Sequence, residues 1–187
     1  MFPRRLDRAA RAIIRNPKPG PLSYGPRPPY PAMLATVSLC LVLVVATTLL
    51  HYEVLSQLSS ALPRVAIASR LKLVVVVLSA FAAHVTQIAL YALGIWAGIR
   101  FFGAGGLSGS GGSGILACLY FSGETYTSLG FGDVVPTGAL RLLAGVETLN
   151  GLLLIGWSAS YTYIAMERFW EDGAGARRAV AGAAVRK

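Results

Sequence analysis

The sequence predicts an all-α membrane protein: three transmembrane helices, with a short re-entrant helix and a glycine-bearing loop just before the last of them. Three observations lead there. The chain has 187 residues, 55% of them hydrophobic and only 13% charged, a balance too apolar for a soluble domain of this size. Its apolar residues gather into long runs over 33–50, 73–99 and 139–166. A further apolar stretch, 115–126, is too short to cross a bilayer that takes about 20 residues of helix, and it leads into a glycine-bearing loop.

Residues 1–32 carry Arg4, Arg5, Arg8, Arg11, Arg15, Lys18 and Arg27 against a single acid, Asp7, followed by a cluster of Pro26, Pro28, Pro29 and Pro31. Proline and charge together prevent a packed core, so this segment reads as a disordered basic tail. Residues 33–50 are 18 residues without a charge, a transmembrane helix closed by His51 and Glu53. Residues 51–72 hold Leu55, Leu58, Leu62 and Val65 at near-helical spacing, with Arg64, Arg70 and Lys72. They read as an amphipathic basic connector lying at a membrane surface.

Residues 73–170 form one larger unit. An outer helix, 73–101, places His84, Gln87 and Tyr91 on one face by spacings of three and four. A glycine-rich loop, 102–114, reads as a flexible linker. A re-entrant helix spans 115–127, a loop follows at 128–132, and an inner helix at 139–166 crosses the membrane. Residues 171–187 are a short basic tail.

The net charge of +9 and a pI near 10.1 point to an anionic partner. Because the basic residues flank the apolar runs, they read as orientation signals or contacts with anionic lipid, and not as a nucleic-acid surface. Cys40 and Cys118 lie in apolar surroundings without metal-ligand or disulfide spacing. No cluster of histidine, cysteine and carboxylate carries enzyme chemistry, and no cofactor is implied.

The unusual stretch is SGETYTSLGFGD, Ser122 to Asp133. Gly130 and Gly132 alternate with Phe131, directly after hydroxyl residues at Thr125, Thr127 and Ser128. Glycine reaches backbone angles closed to other residues, so alternating glycines let successive carbonyls face one way. A row of carbonyls around an axis can replace the water shell of a dehydrated cation. These twelve residues resemble the pore helix and selectivity filter of potassium channels, where the pattern reads Thr-x-Thr-Thr-Val-Gly-Tyr-Gly-Asp. Thr125, Thr127, Ser128, Leu129, Gly130, Phe131, Gly132 and Asp133 fill those positions, with Tyr120, Phe121 and Ser122 ahead of them. Ser for the last Thr, Leu for Val and Phe for Tyr are departures.

From 73 to 170 the order of span, pore helix, filter and span is similar to the two-helix pore unit of that family. With the additional first helix, the chain looks like small bacterial ion-channel-domain proteins. The resemblance implies a potassium-selective channel subunit in the cell (inner) membrane, acting as a homotetramer because each chain supplies one filter. It implies ion sites at the carbonyls of Ser128, Leu129, Gly130 and Phe131, the filter running from Thr127 through Gly132. Tyr120, Glu124, Thr125 and Asp133 would support the filter, Glu124 and Asp133 sharing a proton behind it. Gly151 would be either a hinge or a packing residue of the inner helix. A non-conducting membrane sensor or regulatory subunit, or a weakly selective cation channel, are the alternatives.

Glu147 and Asn150 lie inside the last span, where an ionisable group calls for a partner. Hydroxyls of the pore helix or Tyr91 are expected for Glu147, and for Asn150 a cavity-facing or helix-bridging place. His84 is expected to bond between helices.

A loop entering from outside places 51–72 and the C-terminal tail inside and the basic N-terminal tail outside, against the positive-inside rule. Met33 stands directly before the first span. Translation starting there would remove the conflict; otherwise residues 1–32 read as a dispensable tail or a genuine extension. N-terminal mass spectrometry of the natively expressed protein is expected to find no peptides from Arg5 to Arg27 if the late start holds.

Overall fold

The computed structural model describes residues 30–185 apart from 110, 111 and 113, and for 170–185 the helical backbone alone. Four helices and a two-stranded ribbon make up the described chain: α1 (Tyr30–Ala61), α2 (Ser69–Phe101), β1 (Leu107–Gly109), α3 (Ile115–Tyr126), β2 (Val134–Pro136) and α4 (Leu140–Val185). Helices α1, α2 and α4 are each long and apolar enough to cross a membrane. Helix α3 is 12 residues long, about 18 Å, and packs between α2 and α4 without crossing.

The first helix corrects the expected boundary at residue 50. Helix α1 continues through His51 and Glu53 to Ala61, and Pro63 then sits in a short 3₁₀ turn, Leu62–Arg64. Nothing between 33 and 61 breaks a helix, whereas proline lacks the N–H and disfavours helical angles in the residue before it. His51, which looked like an end, is part of a continuous inward stripe: Thr36, Cys40, Leu43, Thr47, His51, Leu55 and Leu58 are all buried, whereas Glu53 is exposed. The connector expected over 51–72 is therefore absent as a separate surface element. Its first half belongs to α1, and α2 begins at Ser69. Likewise, α4 runs on beyond 166 through Val185, across most of the expected tail. The tail expected over 1–32 lies outside the described residues up to 29.

The interior has two parts. Cys40 and Leu43 of α1, Tyr91 and Ile95 of α2, Phe121 and Tyr126 of α3, and Leu140 and Leu143 of α4 pack in one cluster. Leu55, Leu58 and Leu62 meet Val76, Ala165 and Phe169 at the other end of the bundle. There the Lys72 ammonium lies 5.7 Å from the centroid of the Phe169 ring. The outward faces of the three long helices carry exposed Leu, Val and Phe, such as Leu41, Val45, Leu78, Phe81 and Leu153. An apolar exterior around a partly polar interior suits lipid as the solvent.

The glycine-rich loop is not a free linker. β1 pairs antiparallel with β2, Leu107 opposite Pro136 and Gly109 opposite Val134. The Ala104 carbonyl accepts from the N–H groups of Ala139 (2.7 Å) and Leu140 (3.2 Å), satisfying donors that a helix start leaves open. Thr137 and Gly106 exchange a further set of bonds. The reason is the absence of side chains: a Cβ on Gly105 or Gly109 would run into the carbonyl oxygens of Thr137 or Asp133. Glycine here permits backbone contact rather than freedom.

Gly109 has φ +129°, a region closed to side chains. Gly109→Ala is expected to lower stability by about 1–3 kcal/mol, whereas Gly114→Ala, with open space around its Cβ, is expected to change little. Thermal unfolding in detergent measures both.

Candidate functional site: the loop after the re-entrant helix

Helix α3 ends at Tyr126, so its negative dipole end lies where the loop begins. Residues 127–133 are all exposed in the single chain, between buried Tyr126 and buried Val134. The loop's conformation follows from a series of bonds back to α3. Ser128 N–H donates to the Thr125 carbonyl (3.1 Å), and Leu129 N–H (2.8 Å) and Gly130 N–H (3.3 Å) donate to the Glu124 carbonyl. Phe131 N–H donates to the Glu124 carboxylate Oε2 at 3.3 Å.

Each of these peptides is trans. In a planar trans peptide the C=O points opposite to the following N–H. Four consecutive N–H groups turned toward α3 therefore turn the carbonyls of Thr127, Ser128, Leu129 and Gly130 away from it, to the open side. Positive φ at Ser128 (+59°), Gly130 (+56°) and Gly132 (+79°) makes the arrangement possible. Two of the three residues are glycine, for which this region carries no steric cost. Phe131's own carbonyl is not set by a bond of this kind. The Phe131 and Leu129 side chains are largely exposed in the single chain.

The far end of the loop is tied to the middle of α3. Tyr120 Oη donates to both oxygens of Asp133, at 3.2 and 3.1 Å. Glu124 and Asp133 thus each have their own donor. The direct bond between the two carboxyls that a shared proton would need is not among these contacts. Thr125 contributes through its carbonyl, which also accepts from Thr148 Oγ1 at 3.1 Å.

The helix carrying the loop is anchored on both flanks. Ser122 Oγ lies 2.8 Å from the Ile88 carbonyl of α2 and within bonding distance of Glu147 Oε1 of α4. One hydroxyl hydrogen serves a single acceptor at a time. Both contacts are filled when Glu147 is the neutral acid and supplies the second hydrogen. Its other oxygen, Oε2, is buried without a partner, which a neutral acid tolerates far better than a carboxylate. Asn150 Nδ2 bridges helices, donating to Thr47 Oγ1 (2.8 Å) and Tyr91 Oη (3.1 Å). Gly151 lies against the Tyr126 carbonyl, which a Cβ would strike. Helix α4 runs through Gly151 without interruption, and this close approach is the packing role expected of the residue.

His84, Gln87 and Tyr91 do share the inward face of α2. Three of the groups they meet were not singled out from the sequence: His51, Tyr126 and Ser158. The signal for His51 was its place four residues after Thr47 on the stripe that ends at Leu58. Tyr126 and Ser158 gave no local signal.

Replacing Glu147 with alanine leaves Ser122 short of a partner and is expected to cost about 1–3 kcal/mol. Glu147→Gln, which donates without charge, is expected to retain most of that stability. Thermal unfolding in detergent distinguishes the two variants.

A model described as "ion channel" matches residues 71–168, just over half of the chain. This stretch takes in nearly all of α2, the ribbon, α3, the loop and the spanning part of α4. Comparison with characterised proteins and with solved structures gives no match. With three helices able to cross a membrane and a backbone-lined loop inside the matched region, this multi-pass membrane protein belongs to the ion channel family.

Proposed function

We propose that the chain is the subunit of a potassium-selective channel that conducts passively through a homotetrameric pore in the cell (inner) membrane. One observation carries this reading: four consecutive carbonyls, Thr127 to Gly130, turn to the same open side of the chain. Carbonyl oxygens are the ligands that replace water around a dehydrated monovalent cation. One chain supplies one row, and a row becomes a cage only when other copies face it around an axis. Closed rings of identical subunits are the usual way to arrange this. The open face of 127–133 is the surface that such copies would cover. Potassium is the permeant ion and no cofactor takes part.

Selectivity follows from the same row. The ring of carbonyls is held by backbone bonds to Glu124 and by the Tyr120–Asp133 contact, so its width is set by the protein. Ser128 keeps a hydroxyl at the inner end of the row but lacks the methyl of threonine, leaving the packing there to its neighbours.

Purified protein in liposomes is expected to pass potassium far better than sodium. Gly132→Ala is expected to abolish flux while the assembly stays intact, because a Cβ resists φ near +79°. Equal reversal potentials for the two ions would make the protein a weakly selective cation channel. An intact assembly without flux would make it a membrane sensor or regulatory subunit.

A further inference from the structure

The matched region begins at residue 71 and leaves out α1. Even so, α1 reaches the base of the loop through a closed ring of five side chains drawn from all four helices. Gln87 Nε2 lies 3.1 Å from His51 Nδ1. Tyr126 Oη donates to Gln87 Oε1 and lies 2.9 Å from His84 Nδ1. His84 Nε2 is 3.0 Å from Ser158 Oγ, which is 3.2 Å from His51 Nε2.

One bond outside the ring sets its direction. Gln87 Nε2 also donates to the Thr47 carbonyl at 3.3 Å, so the amide nitrogen faces α1 and the amide oxygen faces Tyr126. His51 Nδ1 must then accept from Gln87. Neutral His51 carries its hydrogen on Nε2 and donates to Ser158 Oγ. The Ser158 hydrogen goes on to His84 Nε2, which accepts. His84 carries its hydrogen on Nδ1, within reach of Tyr126 Oη and of Gln87 Oε1 at 3.1 Å. The Tyr126 hydrogen completes the circle at Gln87 Oε1. Every hydrogen is used and the ring runs head to tail, the arrangement in which each bond polarises the next.

Such a ring exists only with both imidazoles neutral and in opposite tautomers. A proton added to His51 sets its Nδ1–H against the Gln87 amide N–H. A proton added to His84 gives Ser158 Oγ a second donor and expels its hydrogen from the ring. Few groups nearby can offset the charge. From α2 the ring faces His84 and Tyr91, the latter 6.5 Å from Tyr126 between centroids; α3 offers Tyr126. From α4 come Ser158, the Trp157 ring, 5.4 Å from His51, and Glu147, which lies toward Tyr126 and Tyr91 and is bonded to Ser122. Among the described residues, no carboxylate bonds to either imidazole. His51 is fully closed to solvent, where an unpaired charge is costly.

Tyr126 is the last residue of α3, and the carbonyl row starts at the next residue. We propose that α1 is a working part of the pore. In this proposal His51 is a positioning residue that holds Tyr126, and with it the filter, through a ring that acid opens, so that ion passage is lost as pH falls. The proposal rests on the channel reading above, and the test separates the two.

The full chain in liposomes is carried from above to below the ordinary imidazole range of about 6.5 while potassium flux is read. The same preparation is followed by nitrogen NMR, in which the chain's two histidines give separable signals. At high pH one imidazole is expected to be the Nε2–H tautomer and the other the Nδ1–H tautomer. Flux is expected to fall about tenfold one pH unit below the midpoint of their titration, and the Gly130 and Gly132 amide signals to shift with the same midpoint. His51→Leu is expected to lose flux at every pH. His51→Gln, which donates but does not titrate, is expected to restore flux, and with His84→Asn to remove the acid response. Identical tautomers, flux indifferent to imidazole titration, or an unchanged acid response in the double variant would overturn the proposal. A preparation that passes no ions at any pH counts against the channel reading. The ring is then decided by NMR alone: glycine signals that ignore the imidazoles overturn it.

Discussion

The Glu124 carbonyl accepts from two consecutive loop amides, Leu129 and Gly130, while the Glu124 side chain takes the next one, Phe131. This convergence on a single residue of α3 organises the rest of the site. Backbone groups at membrane depth have no water to turn to and must be satisfied within protein. By committing the N–H side of the loop to α3, the chain leaves its C=O side open. A row of carbonyls facing outward is thus the consequence of satisfying the donors. On the channel reading proposed above, the rows that complete a cage come from other copies of the chain.

That arrangement transfers the demand for rigidity to α3, which is too short to hold itself in place. Isolated helices of this length are marginal even with favourable sequences. The surrounding helices supply the support: Ser122 between Ile88 and Glu147, Thr148 on the Thr125 carbonyl, Gly151 beneath Tyr126, and Tyr120 clamped to Asp133. Each is a polar bond or a close backbone approach. Between membrane helices such contacts give specificity, because lipid tails compete on equal terms for apolar side chains. The same reasoning explains why the ribbon is glycine-rich. It brings 104–109 against 133–139 by backbone contact, and so closes the other side of the loop.

Helix α1 enters this frame in an unexpected way. As an added span outside the family's matched region, it would need only an apolar face. It instead presents Thr47 and His51 inward, and they meet Asn150, Gln87 and Ser158. Buried polar groups that are fully paired define one packing register and make others costly. From Leu55 onward the buried contacts of α1 are apolar, with Val76 and Phe169, and its bond to α4 there, Ser59 Oγ to Tyr161 Oη, is exposed. The buried polar contacts of α1 with the other helices are therefore concentrated near Tyr126, beside the start of the loop.

The sequence by itself determined the three spans, the short helix before the last of them, and the glycines that admit positive φ. It also placed His84, Gln87 and Tyr91 on one face. All of these follow from length, composition and periodicity, which are local properties. It misjudged the end of α1 because His51 and Glu53 are polar, and polarity alone tells neither a satisfied interior group such as His51 nor an exposed mid-helix one such as Glu53 from a helix end. Whether the 102–114 segment was a linker or a paired strand, and what Gly151 packs against, depended on what lay opposite. Only the tertiary structure decided these points, together with the partners of Glu124, Asp133, Glu147 and Asn150. The physical reason is that a hydrogen bond or a close approach is a relation between distant residues. Ser158 and His51, 107 positions apart, become neighbours only once all four helices are packed.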